Sequence, residues 1–261
     1  MCGIFGFALR KAVPMAKVLS VLQKLEVHQY AQEPHPVGGY GAGVAVLLED
    51  GSVLVEKVGK VGDSPAAGLA KIIGVDKAAV LVGHVRFPSP EFMSTAKFKE
   101  TAQPYVVERD PSLTVVSVHN GKLENYKEIR KTLGNGHIFD SERSELIDSE
   151  VIPHFFEEKL SEKGDAAEAL YAFFCAVQGS NAIGMLQIGE ENSFLHLIHK
   201  GKTRGLTVWQ NSLDEVVFCS RKEPLVGVFD DLLKQSGFKE RISVAWREDV
   251  GLKLSYELPV R

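Results

Sequence analysis

The sequence predicts a mixed α+β fold, and three observations carry that prediction. Strand-like apolar runs dominate the chain up to Val118 and return from Ala182 onward. Between them, apolar positions recur at helical spacing. The order is therefore strands, helices, strands, which argues against the regular β-α-β alternation of a doubly wound parallel sheet. The 261 residues show no internal repeat, low-complexity tract or composition break, so residues 1–261 read as one domain.

Taken in order, Ile4, Phe5 and Phe7 supply a leading strand. Met15, Val18, Leu19, Leu22 and Leu25 share one helical face, which predicts a helix over residues 14–27. Residues 29–40 hold Pro34, Pro36, Gly38 and Gly39 and read as a loop. Asp50-Gly51 sits between apolar runs at 43–48 and 52–58, the signature of a β-hairpin. A short helix is expected over 66–73 and buried strands over 78–85 and 113–118. Helical patterns follow at 124–133, 144–160 and 165–177. Strands are expected at 182–188, 194–198, 206–209 and 216–219, a helix at 225–233, and closing strands at 242–246 and 252–258.

Composition narrows the function. A formal net charge of −4 argues against a general nucleic-acid binder. No apolar run approaches the ~18–20 residues that cross a bilayer, so no membrane span is expected. Met1-Cys2-Gly3-Ile4-Phe5-Gly6-Phe7 lacks the basic start and long apolar stretch of a signal peptide, and a cytoplasmic location follows as the expectation. The cysteines are Cys2, Cys175 and Cys219, with no Cys-x-x-Cys pair. Cys175 and Cys219 lie in apolar runs and read as small buried hydrophobes.

Cys2 differs by its address. Initiator Met1 is normally removed before a small residue, which would leave a thiol and a free α-amine on one residue. An α-amine with a pKa of about 7.7–8.0 is a serviceable base near neutral pH for a thiol of about 8.5. The nucleophile then carries its own base, and no His–Asp pair is required. Gly3 and Gly6 leave space for a ligand near the backbone.

Five segments together extend this reading. Met1-Cys2-Gly3-Ile4-Phe5-Gly6 resembles the start of class II glutamine amidotransferases, which are N-terminal-nucleophile hydrolases. Gly83-His84-Val85-Arg86-Phe87 is similar to that family's Gly-His-x-Arg-aromatic loop, and Ala102-Gln103-Pro104-Tyr105 to its Ala-Gln-Pro-aromatic segment. His119-Asn120-Gly121-Lys122-Leu123-Glu124-Asn125-Tyr126 resembles its His-Asn-Gly helix-opening motif, and Asp148-Ser149-Glu150-Val151-Ile152 its Asp-Ser/Thr-Glu-Val-Ile motif. Ser220 to Leu225 weakly matches a late Ser-x-x-Pro-Leu segment. The chain departs from the family at His28-Gln29-Tyr30, where many members carry Arg-Gly, and at Pro88-Ser89-Pro90, where Ala-Thr is usual.

The resemblance implies a four-layer α-β-β-α sandwich and a site for glutamine. Arg86 offers a planar fork for the substrate carboxylate, beside Phe87. Ser89 stands where a hydroxyl is expected. The Asn120 amide and the Gly121 N–H are candidates for the oxyanion hole. Asp148 or, in a second frame, Asp140 is the candidate partner of the substrate ammonium.

The chemistry so implied is glutamine hydrolysis through a γ-glutamyl thioester on Cys2, with no metal or organic cofactor. Residues 153–261 are expected to be used in completing the sandwich, so the ammonia would pass to a separate synthase subunit; a homo-oligomer is compatible with the sequence. Two alternatives are a stand-alone hydrolase of another γ-glutamyl amide and a non-catalytic glutamine-sensing regulatory subunit.

Overall fold

Alternation along the first strand sets the layering. The computed structural model describes residues 2–110, 112–190 and 192–259. In β1 (Gly3–Pro14), Phe5, Phe7 and Leu9 point to one side, and Ile4 and Ala8 to the other. This is the period of two that a strand imposes. Both sets are buried, so β1 must be covered on both faces.

The first set packs beneath α1 (Met15–Val27) and α6 (Lys222–Gln235), with Val18, Leu22, Leu25, Leu225 and Phe229 closing over the phenylalanines. The second set meets another sheet. β1 lies at the centre of seven antiparallel strands ordered β11 (Lys239–Val244), β9 (Leu206–Gln210), β10 (Val216–Cys219), β1, β4 (Lys77–Val85), β2 (Ala42–Leu47) and β3 (Val53–Val58). The facing sheet has five strands, ordered β12 (Leu252–Glu257), β8 (Ser193–Lys200), β7 (Gly179–Gly189), β6 (Leu113–Leu123) and β5 (Tyr105–Asp110). Val116, Val118, Ala182 and Leu186 of this sheet pack against Ile4, Ala8, Val80 and Val82 of the first. Its outer face carries α3 (Tyr126–Thr132), α4 (Val151–Lys163) and α5 (Ala166–Ala176), through Ile129, Ile152, Phe156 and Phe173. The layers are helix, sheet, sheet, helix, as the resemblance implied. The short α2 (Pro65–Leu69) is capped by Ser64, whose hydroxyl accepts from Ala67 N–H.

Phe218 fixes the approach of the two sheets. A Cβ at Gly6 or at Gly184 would stand 2.6 Å from its ring. One glycine comes from each sheet, so the ring fits between them only because both positions lack side chains.

Three expectations need correction. Residues 144–147 are not helical, and α4 starts only at Val151. The Glu150 carboxylate accepts from Asp140 N–H at 2.7 Å and Ser141 N–H at 3.0 Å, and Ile147 N–H donates to Ser141 Oγ at 2.9 Å. These side-chain contacts offer the backbone an alternative to the helix. Cys175 is exposed, whereas Cys219 is buried as expected. The buried face of α5 is Ala169, Leu170 and Phe173, and Cys175 lies on the side of exposed Tyr171 instead. Finally, β5 forms where no strand was expected. No helix among the described residues is long and apolar enough to cross a membrane.

His196 on β8 ties three strands together, with Nδ1 2.8 Å from Ser255 Oγ and Nε2 3.0 Å from Gln187 Oε1. Burial pushes its pKa down from 6.5 to about 4. The unfolded chain thus takes up this proton before the folded chain does. The associated stability is complete above pH 6.5 and is lost as pH falls toward 4, a difference of about 3 kcal/mol. His84, His119 and His199 are displaced downward too, also chiefly by burial. Urea denaturation across this window should show falling stability, and His196→Asn should flatten part of the slope. An unaltered slope in the variant would contradict the assignment.

Candidate active site

The period that layers the sheets also gathers the chemistry. Cys2 has the parity of Ile4, Arg86 that of Val82 and His84, and Asn120 that of Val116 and Val118. All three parities face the space between the sheets. The pairing of Gly3 with Val85 carries Cys2 and Arg86 to neighbouring strand ends. Beyond β4 the chain stays in place because Arg86 N–H donates to Gly41 O at 2.8 Å and Tyr40 N–H to Arg86 O at 3.0 Å.

Cys2 is half-buried, and its sulfur accepts from Phe87 N–H at 3.4 Å. Next to it, Arg86 is 3% exposed and has no carboxylate within ion-pairing distance among the described residues. Its Nη1 donates to Thr101 Oγ1 at 2.5 Å and its Nη2 to Thr95 Oγ1 at 3.0 Å. Both hydroxyls spend their own protons on backbone carbonyls, Thr95 on Phe92 O and Thr101 on Thr95 O, so they are fixed as acceptors. Burial presses the guanidinium pKa down, while the nearby Cys2 and Asp148 act to raise it. A buried cation held only by hydroxyls is an anion receptor in waiting.

The unusual Pro88-Ser89-Pro90 segment builds part of this cradle. Ser89 is half-buried and precedes a 3-10 turn over Pro90–Thr95, opened by the proline and closed by Phe92 N–H on Ser89 O at 3.0 Å. That turn delivers Thr95 to Arg86.

Across the gap, the His-Asn-Gly segment is the end of β6 and not a turn into a helix. Gln103 braces it: His119 N–H donates to Gln103 Oε1 at 2.6 Å, and Gln103 Nε2 donates to His119 O at 3.2 Å. Gly121 is at φ +154°, and a Cβ there would lie 1.9 Å from Ser180 O. Asn120 is fully buried, yet among the described residues neither its Nδ2 nor its Oδ1 has a hydrogen-bond partner. Such orphaned atoms are rare in interiors. Burial keeps the His119 imidazole below its usual range, and its Nδ1 lies 2.8 Å from Ser149 Oγ.

The two aspartates separate clearly. Asp148 is buried at the end of β6, accepting from Leu123 N–H and Ser149 N–H, each at 2.9 Å. Asp140 is 57% exposed at its side chain and sits 3.5 Å from Arg143 Nη2. Only Asp148 is near enough to Arg86 to influence its charge.

Sequence reasoning missed the group that covers Phe87. His35 stacks on its ring at 3.6 Å, 7° from parallel, and Tyr40 meets it edge-on at 4.9 Å. The loop carrying them is anchored by buried Glu33, which pairs with Arg221 and, at 3.3 Å, with Arg204. Arg204 Nη2 reaches His35 Nδ1 at 3.1 Å. Arginines next to apolar strand runs were the available signal, but their meeting with residue 33 is a tertiary fact. A separate cavity of about 720 Å³, lined by Leu9, Arg10, Val46 and Lys77, lies at the far end of β1.

Comparison with known proteins now has a geometry to explain. A family model described as a glutamine amidotransferase domain matches residues 91–227. The chain belongs to that family. This glutamine amidotransferase domain is 31% identical over 242 residues to glutamine–fructose-6-phosphate aminotransferase (isomerizing) of Sulfurisphaera tokodaii, covering 89% of this chain and 36% of that protein. It is 33% identical over 199 residues to the same-named protein of Aquifex aeolicus, covering 75% of this chain and 29% of the other. The domain thus spans about a third of the length of the curated relatives it matches. Among solved structures, it aligns over 100% of its length with an allosteric regulatory enzyme of purine biosynthesis, with TM-score 0.65 and 16% identity, covering 50% of that chain. It aligns equally fully with glutamine phosphoribosylpyrophosphate amidotransferase of B. subtilis, with TM-score 0.60 and 18% identity, covering 50% of that chain. These two share the fold of this class II domain.

The brace on His119 gives a test within the domain. Gln103→Leu leaves the buried N–H and carbonyl of His119 without partners, at about 1–3 kcal/mol each. The midpoint of urea denaturation should fall with the slope retained. Stability equal to the parent would mean that the contact does not hold β6.

Proposed function

We propose that this domain hydrolyses the side-chain amide of glutamine and delivers ammonia to a separate synthase partner. The observation that carries the reading is the meeting of a thiol, an unpaired buried guanidinium and an orphaned asparagine amide at one end of the sandwich. Glutamine presents a carboxylate, an ammonium and an amide carbonyl. Arg86 answers the first by charge and planarity, Asp148 the second, and Asn120 with Gly121 the third. Family membership supports the same chemistry, since related domains hydrolyse glutamine.

In this reading Met1, which lies outside the described residues, has been removed. The Cys2 sulfur attacks the amide carbon, and its proton passes to the α-amine and then to the departing nitrogen. Asn120 and Gly121 hold the oxyanion. The C–N bond breaks, ammonia leaves, and water hydrolyses the γ-glutamyl thioester to glutamate. Phe87 N–H steadies the sulfur between attacks.

Purified chain should release glutamate and ammonia in equal amounts, with intact mass reporting loss of Met1. Cys2→Ala should abolish turnover without changing the denaturation midpoint, and Asn120→Ala should lower kcat by about 10²–10³. Retained turnover in Cys2→Ala would refute the mechanism. The aspartates provide a second check. Asp148→Asn should raise KM for glutamine by at least about tenfold, equivalent to 1.4 kcal/mol of binding, while Asp140→Asn should leave KM alone. The reverse pattern would transfer the role to Asp140.

A further inference from the structure

A cavity of about 350 Å³ opens beside Gly121. Lys122, Lys202, Arg204 and Arg247 line it, facing only the carboxylates of Glu33 and Glu124, and Trp246 adds an aromatic wall. Glu33 is already spent on Arg204, on Arg221 and on Tyr30 N–H at 3.0 Å. Lys122 is engaged by Glu91 at 3.1 Å. Lys202 and Arg247 have no ion-pair partner among the described residues. Electrostatically, the cavity has positive charge to spare.

Arg204 distinguishes this from an ordinary basic surface. It is 1% exposed, and among the described residues its Nε has no hydrogen-bond partner and its Nη1 has only the 3.3 Å ion contact with Glu33. Leaving donors of a buried guanidinium unmade is costly, and the fixed positive charge of Arg204 acts on the cavity it lines.

The cavity also shares walls with the reaction centre. Gly121 is the proposed oxyanion donor, and His35 stacks on Phe87, whose N–H holds the Cys2 sulfur. Departing ammonia is water-sized and needs roughly 30 Å³. A space near 350 Å³ suits a small-molecule fragment instead.

We propose that this cavity is a leaving-group subsite for γ-glutamyl amides whose amine half carries a carboxylate or phosphate. The inference rests on the thioester reading above and widens its substrate class. The chemistry balances without a co-reactant: sulfur bonds to the γ-carbonyl carbon, the C–N bond breaks, the acidic amine leaves with the thiol proton, and water releases glutamate.

The test compares glutamine, γ-glutamylglycine and γ-glutamylglycinamide, the last two matched in size but not in charge. At low salt kcat/KM for γ-glutamylglycine should exceed that for γ-glutamylglycinamide by at least about tenfold, and added salt should narrow the gap. The double variant Lys202→Ala/Arg247→Ala should erase this preference and leave glutamine turnover unchanged. A readout free of catalysis is Trp246 fluorescence in the Cys2→Ala chain, with Trp246→Phe as control. The acidic amide should bind more tightly than the neutral one, and inorganic phosphate should compete with its glycine end. Equal rates and equal binding of the two amides would overturn the proposal. So would phosphate binding without discrimination between the amides, which marks a site for free anions. Discriminating binding without any turnover of glutamine would instead defeat the thioester reading and uphold the subsite.

Discussion

The antiparallel pairing of β1 with β4 holds the candidate site together. Gly3 opposite Val85 and Ile4 opposite His84 bring the beginning of the chain to the end of a strand formed some eighty residues later. A slip of one residue would turn Ile4 and Ala8 outward and send Cys2 to the helix-covered face. That slip is opposed by both cores at once, because Phe5 and Phe7 are fitted beneath the helices while Ile4 and Ala8 are fitted between the sheets. The register that stabilises the fold therefore also positions the thiol. Gly6 and Gly184 extend this constraint to the second sheet by admitting Phe218 between them.

Around that register, polar residues are used in two ways. Some are fully satisfied and act as braces: Gln103 on His119, Glu150 on residues 140 and 141, Thr95 and Thr101 on Arg86. Others are buried and left short of partners among the described residues, Asn120, His84 and Arg204 among them. The first group makes the scaffold stiff. Asn120 and His84 share the inter-sheet parity of Cys2 and Arg86, where a polar substrate would repay the desolvation already incurred.

The departures from the family pattern acquire a structural meaning in this light. Pro88-Ser89-Pro90 opens the turn that carries Thr95 to the guanidinium. The proline-rich stretch after the first helix folds back over Phe87, tied by Glu33 to two buried arginines. The loop that replaces Arg-Gly thus receives its positive charge from connecting residues far along the sequence. A wall of the cationic cavity is made by the same exchange.

By itself the sequence determined the order of most strands and helices; through the resemblance it implied the layering, and it named the candidate reacting groups. Those depend on local periodicity and on short motifs such as His119-Asn120-Gly121, whose residues act as neighbours. Boundaries were less legible: β5 exists through its pairing with β6, and the non-helical residues 144–147 depend on Glu150 and Ser141 meeting across a turn, both invisible to apolar spacing. Cys175 was misjudged because a wholly apolar-looking helix still has one face toward water. The local match of Asp148-Ser149-Glu150-Val151-Ile152 favoured Asp148 over Asp140 in sequence, but its burial and the exposure of Asp140 are tertiary facts. The tertiary structure alone joined Glu33, Arg204 and Arg221, because a pairing across that much chain leaves no pattern in either segment and is decided by how the loop after α1 meets the ends of β9 and β10.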